Sequence, residues 1–300
     1  MVRSVIITGE NLVASSAPYN DTYKYTVPTG MVDLRNHEVA IASVNLWYSW
    51  YNISAERQNN TFSYKFPVSD GGGGTTYQEV SVTIPDGNYS IDPDNNTLNA
   101  YLQFVMVQNK HYLIDDITGD YIYYMEIVRN VTTNLAEIVC YAVPTSLPAN
   151  SKQPTDPGWD FPANGYCPQI TLPTGFARIL GFTPQSVPPT DTNVGDYYTT
   201  GTSRTLFYPV TNVIIGCSLL HNTLSIPNTS LFQFPITDQQ FNSQIGNAYN
   251  FAYQPVDSGY YSEFTIRFFD QKGNRLQLGD TDIGVYMIFR KRTDDSAITK

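Results

Sequence analysis

The chain has few charged residues, and this shortage argues against one class of partner. Only 15% of its 300 residues are charged, and the formal net charge is −10. Binding to nucleic-acid phosphates requires concentrated Lys and Arg side chains. The one basic cluster, 290–292, is followed closely by Asp294 and Asp295. We therefore expect no direct contact with nucleic acid.

Cysteine and long apolar runs are also scarce. Cys140, Cys167 and Cys217 lie far apart without a C-x-x-C motif, which is typical of neither a disulfide framework nor a zinc site. No run of 18 apolar residues occurs, so no membrane span is expected. The first residues lack the apolar core and cleavage pattern of a secretory signal peptide. These features indicate a protein that folds with reduced thiols in the cytoplasm.

Recognisable catalytic motifs are lacking. His37, His111 and His221 are widely separated, and neither H-E-x-x-H nor G-x-S-x-G occurs. Glu126 and Glu137 fall on neighbouring predicted strands, and two carboxylates across a cleft are what a glycosidase needs. Opposed strands bring many such pairs together, however. We predict no catalytic residues, no metal ligands and no cofactor.

Aromatic residues are abundant: the chain has 23 Tyr, 15 Phe and 3 Trp. Aromatic side chains suit pleated, half-buried sheet surfaces. Tyrosine also suits protein interfaces, because it offers a large rigid face with a polar tip. Abundance alone does not separate these two uses.

The C-terminal region carries the clearest strand pattern. Residues 264–270 alternate apolar and polar side chains, 271–274 supply a turn, and 282–289 are mostly apolar, as in paired antiparallel strands. A similar pattern predicts strands near 38–50, 61–66, 78–84, 121–128, 135–143, 210–220, 260–269 and 282–290. Eight antiparallel strands favour an all-β fold, a single jelly-roll β-sandwich with one short helix after Asp92. On this pattern alone, an immunoglobulin-like or lectin sandwich stays open.

The remaining segments predict the domain organisation. We expect an N-terminal arm over 1–35, a jelly-roll domain over 36–290 and a C-terminal tail over 291–300. Residues 144–209 are rich in Pro and Gly and poor in charge, and 226–250 are also loop-rich. Connections of this length are uncommon in compact domains. Either segment is therefore a candidate for a loop-rich insertion.

Several segments, taken in order, carry a family resemblance. They are Val82-Thr-Ile-Pro-Asp-Gly-Asn-Tyr-Ser90 leading into Asn99-Ala-Tyr-Leu-Gln103, then Val139-Cys-Tyr-Ala-Val-Pro-Thr145, Phe176-Ala-Arg-Ile-Leu-Gly-Phe182, Phe264-Thr-Ile-Arg-Phe-Phe-Asp-Gln-Lys-Gly-Asn-Arg-Leu276 and Asp282-Ile-Gly-Val-Tyr286. Together they resemble the penton (minor capsid) proteins of virophages such as mavirus and of the related polinton (maverick) viruses. The resemblance covers most of the chain.

The resemblance implies a structural capsid protein rather than an enzyme. Five copies of its jelly roll would form the pentameric capsomer at the fivefold vertices of a virion, after synthesis in the host cytoplasm. Its partners would be its own copies and the hexagonal capsomers of a double jelly-roll major capsid protein. The alternative is a carbohydrate- or receptor-binding β-sandwich, lectin-like or a vertex fibre, that contacts a host-cell receptor or glycan. A hydrolase on a β-sandwich is a further rival.

Two short segments supply the predicted interface residues. One is the apolar island at 176–182, which also suits a core, and the other is an aromatic pair in the first long strand. The predicted interface residues are Phe176, Arg178, Leu180, Phe182, Trp47 and Tyr48.

Overall fold

The protein is built largely from antiparallel β-strands. The computed structural model describes residues 2–155, 158–207, 209–236, 243–248 and 250–292. Two short 3-10 turns lie at Gly9–Asn11 and Ala14–Ser16. The strands are β1 (Val2–Thr8), β2 (Thr22–Thr26), β3 (Val32–Asp33), β4 (His37–Trp47), β5 (Thr61–Ser69), β6 (Thr75–Thr83), β7 (Tyr112–Asp115), β8 (Tyr121–Tyr123), β9 (Met125–Arg129), β10 (Ala136–Cys140), β11 (Ser151–Lys152), β12 (Gln169–Leu172), β13 (Gln185–Val187), β14 (Tyr197–Thr200), β15 (Asn212–Cys217), β16 (Ser230–Pro235), β17 (Ser243–Asn247), β18 (Gln254–Pro255), β19 (Tyr260–Tyr261), β20 (Glu263–Asp270) and β21 (Gly284–Lys291), and the α-helices are α1 (Thr97–Gln108) and α2 (Thr174–Leu180).

The chain divides into two compact units. Unit 1 consists of Met1–Tyr51 with Tyr208–Lys300, and unit 2 is Asn52–Phe207. Unit 2 is therefore an insertion into the sequence of unit 1. This boundary differs from both predicted insertions, because 144–207 is only the second half of unit 2 and 226–236 lies in unit 1.

The described part of unit 1 contains two large antiparallel sheets around one apolar core and the small two-stranded sheet β19-β3. Sheet I has the order β1-β21-β4-β17, with β18 pairing with another part of β4, and sheet II has the order β16-β15-β20-β2. Side chains from both sheets meet in the core, where the rings of Phe264 and Phe289 lie 5.9 Å apart. Burial of such a shared core is the dominant stabilising term in folding.

The alternation of β4 is interrupted by a β-bulge. The pairing register between β21 and β4 shifts between Tyr286 and Met287, so that Met287 lies opposite Ile41 and Tyr286 opposite Ser43. An extra residue in one strand changes the face to which later side chains point. Val39, Ile41, Val44 and Leu46 consequently all belong to the same core. Strict alternation along β4 would put Val39 and Ile41 on the face opposite Val44 and Leu46, and the bulge brings all four to one face.

Two segments expected to be loops or arms are strands of unit 1. In the predicted arm, β1 pairs with β21 over Val2–Thr8 and β2 pairs with β20 over Thr22–Thr26. Within the described part of 226–250, β16 pairs with β15 and β17 pairs with β4. β2, β16 and β17 are only five or six residues long, and in β17 the polar Gln244 is buried while Ile245 is exposed, so their alternation gives a weak signal. Of the predicted tail, 293–300 lie outside the described residues.

Unit 2 has its own core, built from three small sheets and both helices. The sheet orders are β14-β10-β9, β11-β7-β8 and β13-β12-β5-β6. Helix α1 begins at Thr97 rather than near Asp92, because Asn96 is the N-cap: its side chain accepts a 2.9 Å hydrogen bond from the amide of Asn99. The buried face of α1 consists of Leu98, Leu102, Val105 and Met106.

The two ends of unit 2 are joined through one buried amide side chain. Nδ2 of Asn52 donates to the carbonyl oxygens of Tyr89 (2.7 Å) and Phe207 (3.0 Å). Its Oδ1 accepts from the amide of Tyr89 at 2.9 Å. Neighbouring ends are what the insertion of a domain into a host chain requires.

A buried ion pair links the N-terminal part of unit 1 to the turn after β20. Asp21 is fully buried, and Arg275 donates to its two carboxylate oxygens at 2.7 and 2.6 Å. The guanidinium of Arg275 also lies 4.2 Å from the ring centre of Tyr19. Two parallel bonds and a stacked ring fix the geometry that a buried pair needs.

We predict that Arg275→Met destabilises unit 1 by about 3 kcal/mol, because it leaves the buried Asp21 carboxylate without its cation. The matched control is Arg35→Met, which breaks an exposed pair with Asp33 (side chains 58% and 44% exposed) and should cost far less, because solvent screens the exposed pair. Urea unfolding, monitored by hydrogen exchange of the backbone amides of β2 and β20, measures the loss of stability in both variants. Equal losses in the two variants would contradict the prediction.

Candidate functional site

Three predicted interface residues are part of the core of unit 2. Phe176 and Leu180 lie on α2 and are fully buried, and Phe182 follows the helix and is also buried. The ring of Phe176 stacks on that of Phe62 at 5.0 Å. These side chains contact their own unit and present no surface to a partner. Arg178, on the same helix, is exposed.

The aromatic pair in unit 1 is divided between core and surface. Tyr48 is buried, and its ring lies 4.1 Å from that of Trp50. Trp47, at the end of β4, is 40% exposed. The structure therefore leaves Trp47 and Arg178 as the predicted interface residues that are accessible in one copy.

The sandwich of unit 1 has two opposite sides where its sheets end. Strands β1 and β2 end sheets I and II on one side, and β17 and β16 end them on the other. Side chains from both β1 and β2 line one groove. On the other side β17 lies against β16, since a Cβ atom on Gly246 would come within 2.9 Å of Phe234. The outer edge of β2 is partly paired within the chain, since the amide of Val13 donates to the carbonyl of Thr22 at 3.0 Å and Leu12 forms a β-bridge with Tyr23.

The side formed by β1 and β2 contains an apolar groove of about 400 Å³. Tyr25, Phe264 and Phe289 line it from the core, and the exposed Met31 lies at its edge. Arg3 also lines the groove, and it makes no ion pair among the described residues. The groove is therefore largely hydrophobic, with one available cation.

The loop that leads into β16 presents two unusually exposed aliphatic side chains. Within residues 221–229, Leu224 is 96% exposed and Ile226 is 80% exposed. Asn222 fixes the conformation of the loop through two hydrogen bonds. Its side-chain oxygen accepts from the backbone amide of Leu224 at 3.0 Å, and its backbone amide donates to the backbone carbonyl of Asn228 at 2.6 Å. Leu224 and Ile226 are the two large aliphatic residues in an otherwise polar segment beside Pro227, and this contrast is visible in the sequence.

A cluster of tyrosines forms a second candidate surface, on the β7–β8 hairpin of unit 2. The ring of Tyr112 lies 4.7 Å from that of Tyr121 and 6.3 Å from that of Tyr123. The opposite face of the hairpin, Leu113 and Ile122, packs on the core. Burial is the main cause that raises the pKa of both Tyr112 and Tyr123, and the neighbouring Tyr121 raises both pKa values further. The period-two spacing of these tyrosines could have identified the cluster from sequence.

Comparison with solved structures returns virophage proteins. The chain is similar to the selenomethionine-labelled mavirus penton protein at 11% identity and a TM-score of 0.41, covering 97% of this chain and 99% of that one. It is also similar to a chain of the 3.5 Å cryo-EM structure of the Sputnik virophage, at 12% identity and a TM-score of 0.41, with 97% of each chain covered. No protein-family model matches the chain, and no curated protein does.

The two glutamates considered as a hydrolase pair lie on adjacent strands of unit 2. Glu126 is opposite Val139, and Glu137 is opposite Val128, which places the two glutamates diagonally on one face. Glu126 accepts a 3.2 Å hydrogen bond from the hydroxyl of Tyr141. The pKa of Tyr141 is raised to about 12, mainly by burial and secondly by the charge of Glu126. Glu137 accepts a hydrogen bond from the side-chain amide of Asn130 at 3.3 Å. Each carboxylate is thus held by a neutral neighbour on its own strand pair or turn.

The described residues contain no group of three or more His, Cys, Asp or Glu side chains placed to hold a metal ion. Nor do they include a helix that is long and apolar enough to cross a membrane.

The three histidines lie in different surroundings, and His111 is the most buried of them. In unit 2 its Nε2 lies 2.8 Å from Oε1 of Gln78, and its Nδ1 lies 2.9 Å from the hydroxyl of Tyr64. An amide oxygen only accepts, so Nε2 carries the proton and Nδ1 accepts from Tyr64. The ring stacks on Phe66 at 4.2 Å. Burial lowers the pKa of His111 to about 4, which keeps the imidazole neutral. By contrast, His221 is exposed.

We predict that His111 makes unit 2 less stable in acid. Its pKa is about 4 when folded and near 6.5 when unfolded, so the unfolded chain binds more protons between these values. Stability is therefore full above about pH 6.5 and falls by about 3 kcal/mol as the pH drops towards 4. Hydrogen exchange of β5 amides across this pH range measures the loss.

The variant His111→Gln removes this titration, and the exposed His221→Gln is the matched control. We expect a smaller pH slope between pH 4 and 6.5 in the first variant and an unchanged slope in the second. An unchanged slope in His111→Gln would contradict the role of the buried imidazole, whatever the absolute stability of that variant.

Proposed function

We propose that unit 1 is an eight-stranded jelly roll and that the chain is a structural capsid protein. Five copies would form the pentameric capsomer at the fivefold vertices of a virion, in contact with the hexagonal capsomers of a double jelly-roll major capsid protein. The observation that carries this proposal is the strand order of unit 1.

Numbering the eight long strands of unit 1 along the chain gives the order 1-8-3-6 in sheet I and 5-4-7-2 in sheet II. Successive strands therefore alternate between the sheets, except for the hairpin formed by β15 and β16. Eight strands in two facing antiparallel sheets with Greek-key connections are typical of jelly rolls, which occur in viral capsid and lectin domains. The resemblance of segments along the chain to virophage pentons favours the capsid alternative.

The position of the insertion fits the same proposal. Unit 2 enters between the third and fourth long strands of unit 1, and Asn52 holds its two ends together. The resemblance implies an insertion that projects from the jelly roll. We propose unit 2 for that role, in place of either shorter segment predicted from sequence.

Exposed apolar groups in unit 1 support assembly rather than a solitary domain. Trp47, Leu224 and Ile226 are large apolar side chains that unit 1 leaves exposed. Interface cores are poor in charge and rich in aromatic residues. Permanent interfaces bury on the order of 2,000 Å² or more, so we expect further residues of unit 1 to contribute.

We predict that the purified chain has a solution mass near five times the 33.6 kDa of one chain, with five-membered rings in negative stain. Light scattering across a dilution series measures the mass. Co-expression with a major capsid protein of the same virus should then give closed particles that contain the chain. A monomer at all concentrations, together with particles that lack the chain, would contradict the proposal.

The tyrosine cluster supports a second candidate function, binding of a neutral glycan by unit 2. Flat aromatic faces suit the apolar face of a sugar ring, and Tyr121 is 47% exposed within the cluster. Polar tips on the same rings offer hydrogen bonds to sugar hydroxyls. This function is compatible with a place at a capsid vertex.

If the cluster binds glycans, Tyr121→Ala should weaken binding at least tenfold, or about 1.4 kcal/mol, because it removes the exposed ring. The matched control is Tyr260→Ala in unit 1, which also removes an exposed tyrosine and should change nothing. A glycan array followed by titration of the best ligand measures both. The candidate fails if no glycan binds, or if both variants lose binding equally.

A further inference from the structure

We propose that neighbouring copies in the pentamer join through a specific pair of surfaces on unit 1. The apolar groove between β1 and β2 of one copy receives Leu224 and Ile226 from the 221–229 loop of the next copy. This inference rests on the proposed pentamer and names the two faces that form its contact.

A closed ring of identical copies requires two different and complementary faces on each copy. Unit 1 offers one such pair of surfaces. The groove lies where β1 and β2 end the sheets, whereas the loop places Ile226 beside Gly273 in the turn after β20. Contact between two different surfaces can repeat around a ring, whereas contact between like surfaces would stop at a dimer.

The shape of the groove suits aliphatic side chains. Its volume of about 400 Å³ is within the range of about 300–1,000 Å³ found for ligand pockets. Tyr25, Phe264 and Phe289 provide an apolar floor that is continuous with the core. Met31 at the edge is 60% exposed in one copy and would be covered by an inserted loop.

The loop is suited to insertion because it is exposed and already shaped. Leu224 and Ile226 expose almost their whole side chains, so burying them in an apolar site is favourable. The hydrogen bonds of Ser225 to the carbonyls of Asn222 (3.4 Å) and Pro227 (3.0 Å) fix the loop before binding. A shaped loop loses less conformational entropy when it binds.

The charges of the two surfaces are compatible as well. Residues 222–229 carry no charged side chain. Of the charged residues that line the groove, Asp33 already accepts two bonds from Arg35, at 3.0 and 2.7 Å. Insertion therefore buries no unpaired carboxylate from either side. Arg3, the other charged residue of the groove, makes no ion pair among the described residues, and backbone carbonyls of the uncharged loop are the acceptors that would face it.

Engineered cysteines test the contact directly. The double variant Met31→Cys/Leu224→Cys places one thiol in the groove and one on the loop, while Cys140, Cys167 and Cys217 are buried. Under mild oxidation we expect a ladder of covalent species that ends at five copies. The matched control Met31→Cys/Val131→Cys moves the second thiol to an equally exposed site in unit 2 and should give no ladder.

A charge on the loop provides a second measurement. Ile226→Lys should shift the solution mass of the folded chain from five copies towards one, since an ammonium group would enter an apolar groove that already contains the unpaired cation of Arg3. Val131→Lys, at a site 78% exposed in unit 2, should leave five copies. Circular dichroism confirms that both variants are folded.

The outcomes separate this inference from the function on which it rests. Wild-type pentamers together with no cross-link and an undisturbed Ile226→Lys assembly would overturn the contact and leave the capsomer proposal standing. A wild-type chain that is monomeric at every concentration and gives no cross-link would overturn both. Cross-linking that stops at dimers, or continues past five into filaments, would contradict a closed ring built on this contact.

Discussion

The structure of unit 1 depends on the meeting of the two ends of its chain. Strand β1 pairs with β21 and β2 pairs with β20, so the first residues and the last strands complete both sheets together. The core between the sheets is closed only when these pairs have formed. Contacts of such long sequence separation slow folding, because the closure entropy is lost before the contacts are gained.

The insertion of unit 2 is compatible with this constraint because its own ends meet. Asn52 bonds to the carbonyl of Phe207, so a unit of more than half the chain occupies only a short gap in the host. Unit 2 has a separate core in which the apolar helix α2 and the strand β5 are in contact. Its local contacts do not wait for the ends of unit 1 to pair.

Polar groups in both units are buried only where partners fix them. Asp21 is held by Arg275, and His111 is held between Tyr64 and Gln78. A buried polar group is costly without such partners, and with them it selects one arrangement of the chain. Each of these buried polar groups is far from its partners in sequence, so no local motif identifies the pair.

The sequence predicted the strand-rich class and most long strands but assigned them to one sandwich. All eight predicted segments contain strands, yet only β4, β15, β20 and β21 belong to unit 1, and the other segments lie in unit 2. The missing strands of unit 1 include β1 and β2, where alternation is short and the segment resembles an arm. Hydrophobic period identifies a strand but contains no information on which sheet it joins.

The candidate surfaces were harder to predict for a related reason. An apolar run such as 176–182 is equally suited to a core and an interface, and burial of Phe176 and Leu180 is decided by the tertiary structure of unit 2. The reverse holds for Leu224 and Ile226, which sit in a polar loop and would be expected to matter little. Only their exposure on a hydrogen-bonded loop distinguishes them from ordinary loop residues.

Exposed sheet edges give the proposed ring a physical rationale. Unpaired edge strands are prone to uncontrolled association, and proteins cover, shorten or charge them. In unit 1 the edges lie on two opposite sides, and the apolar groove beside β1 and β2 adds hydrophobic surface to one of them. A ring in which the loop of each copy covers the groove of the next would bury this hydrophobic surface in every copy, whereas a dimer that used one groove and one loop would leave a groove open.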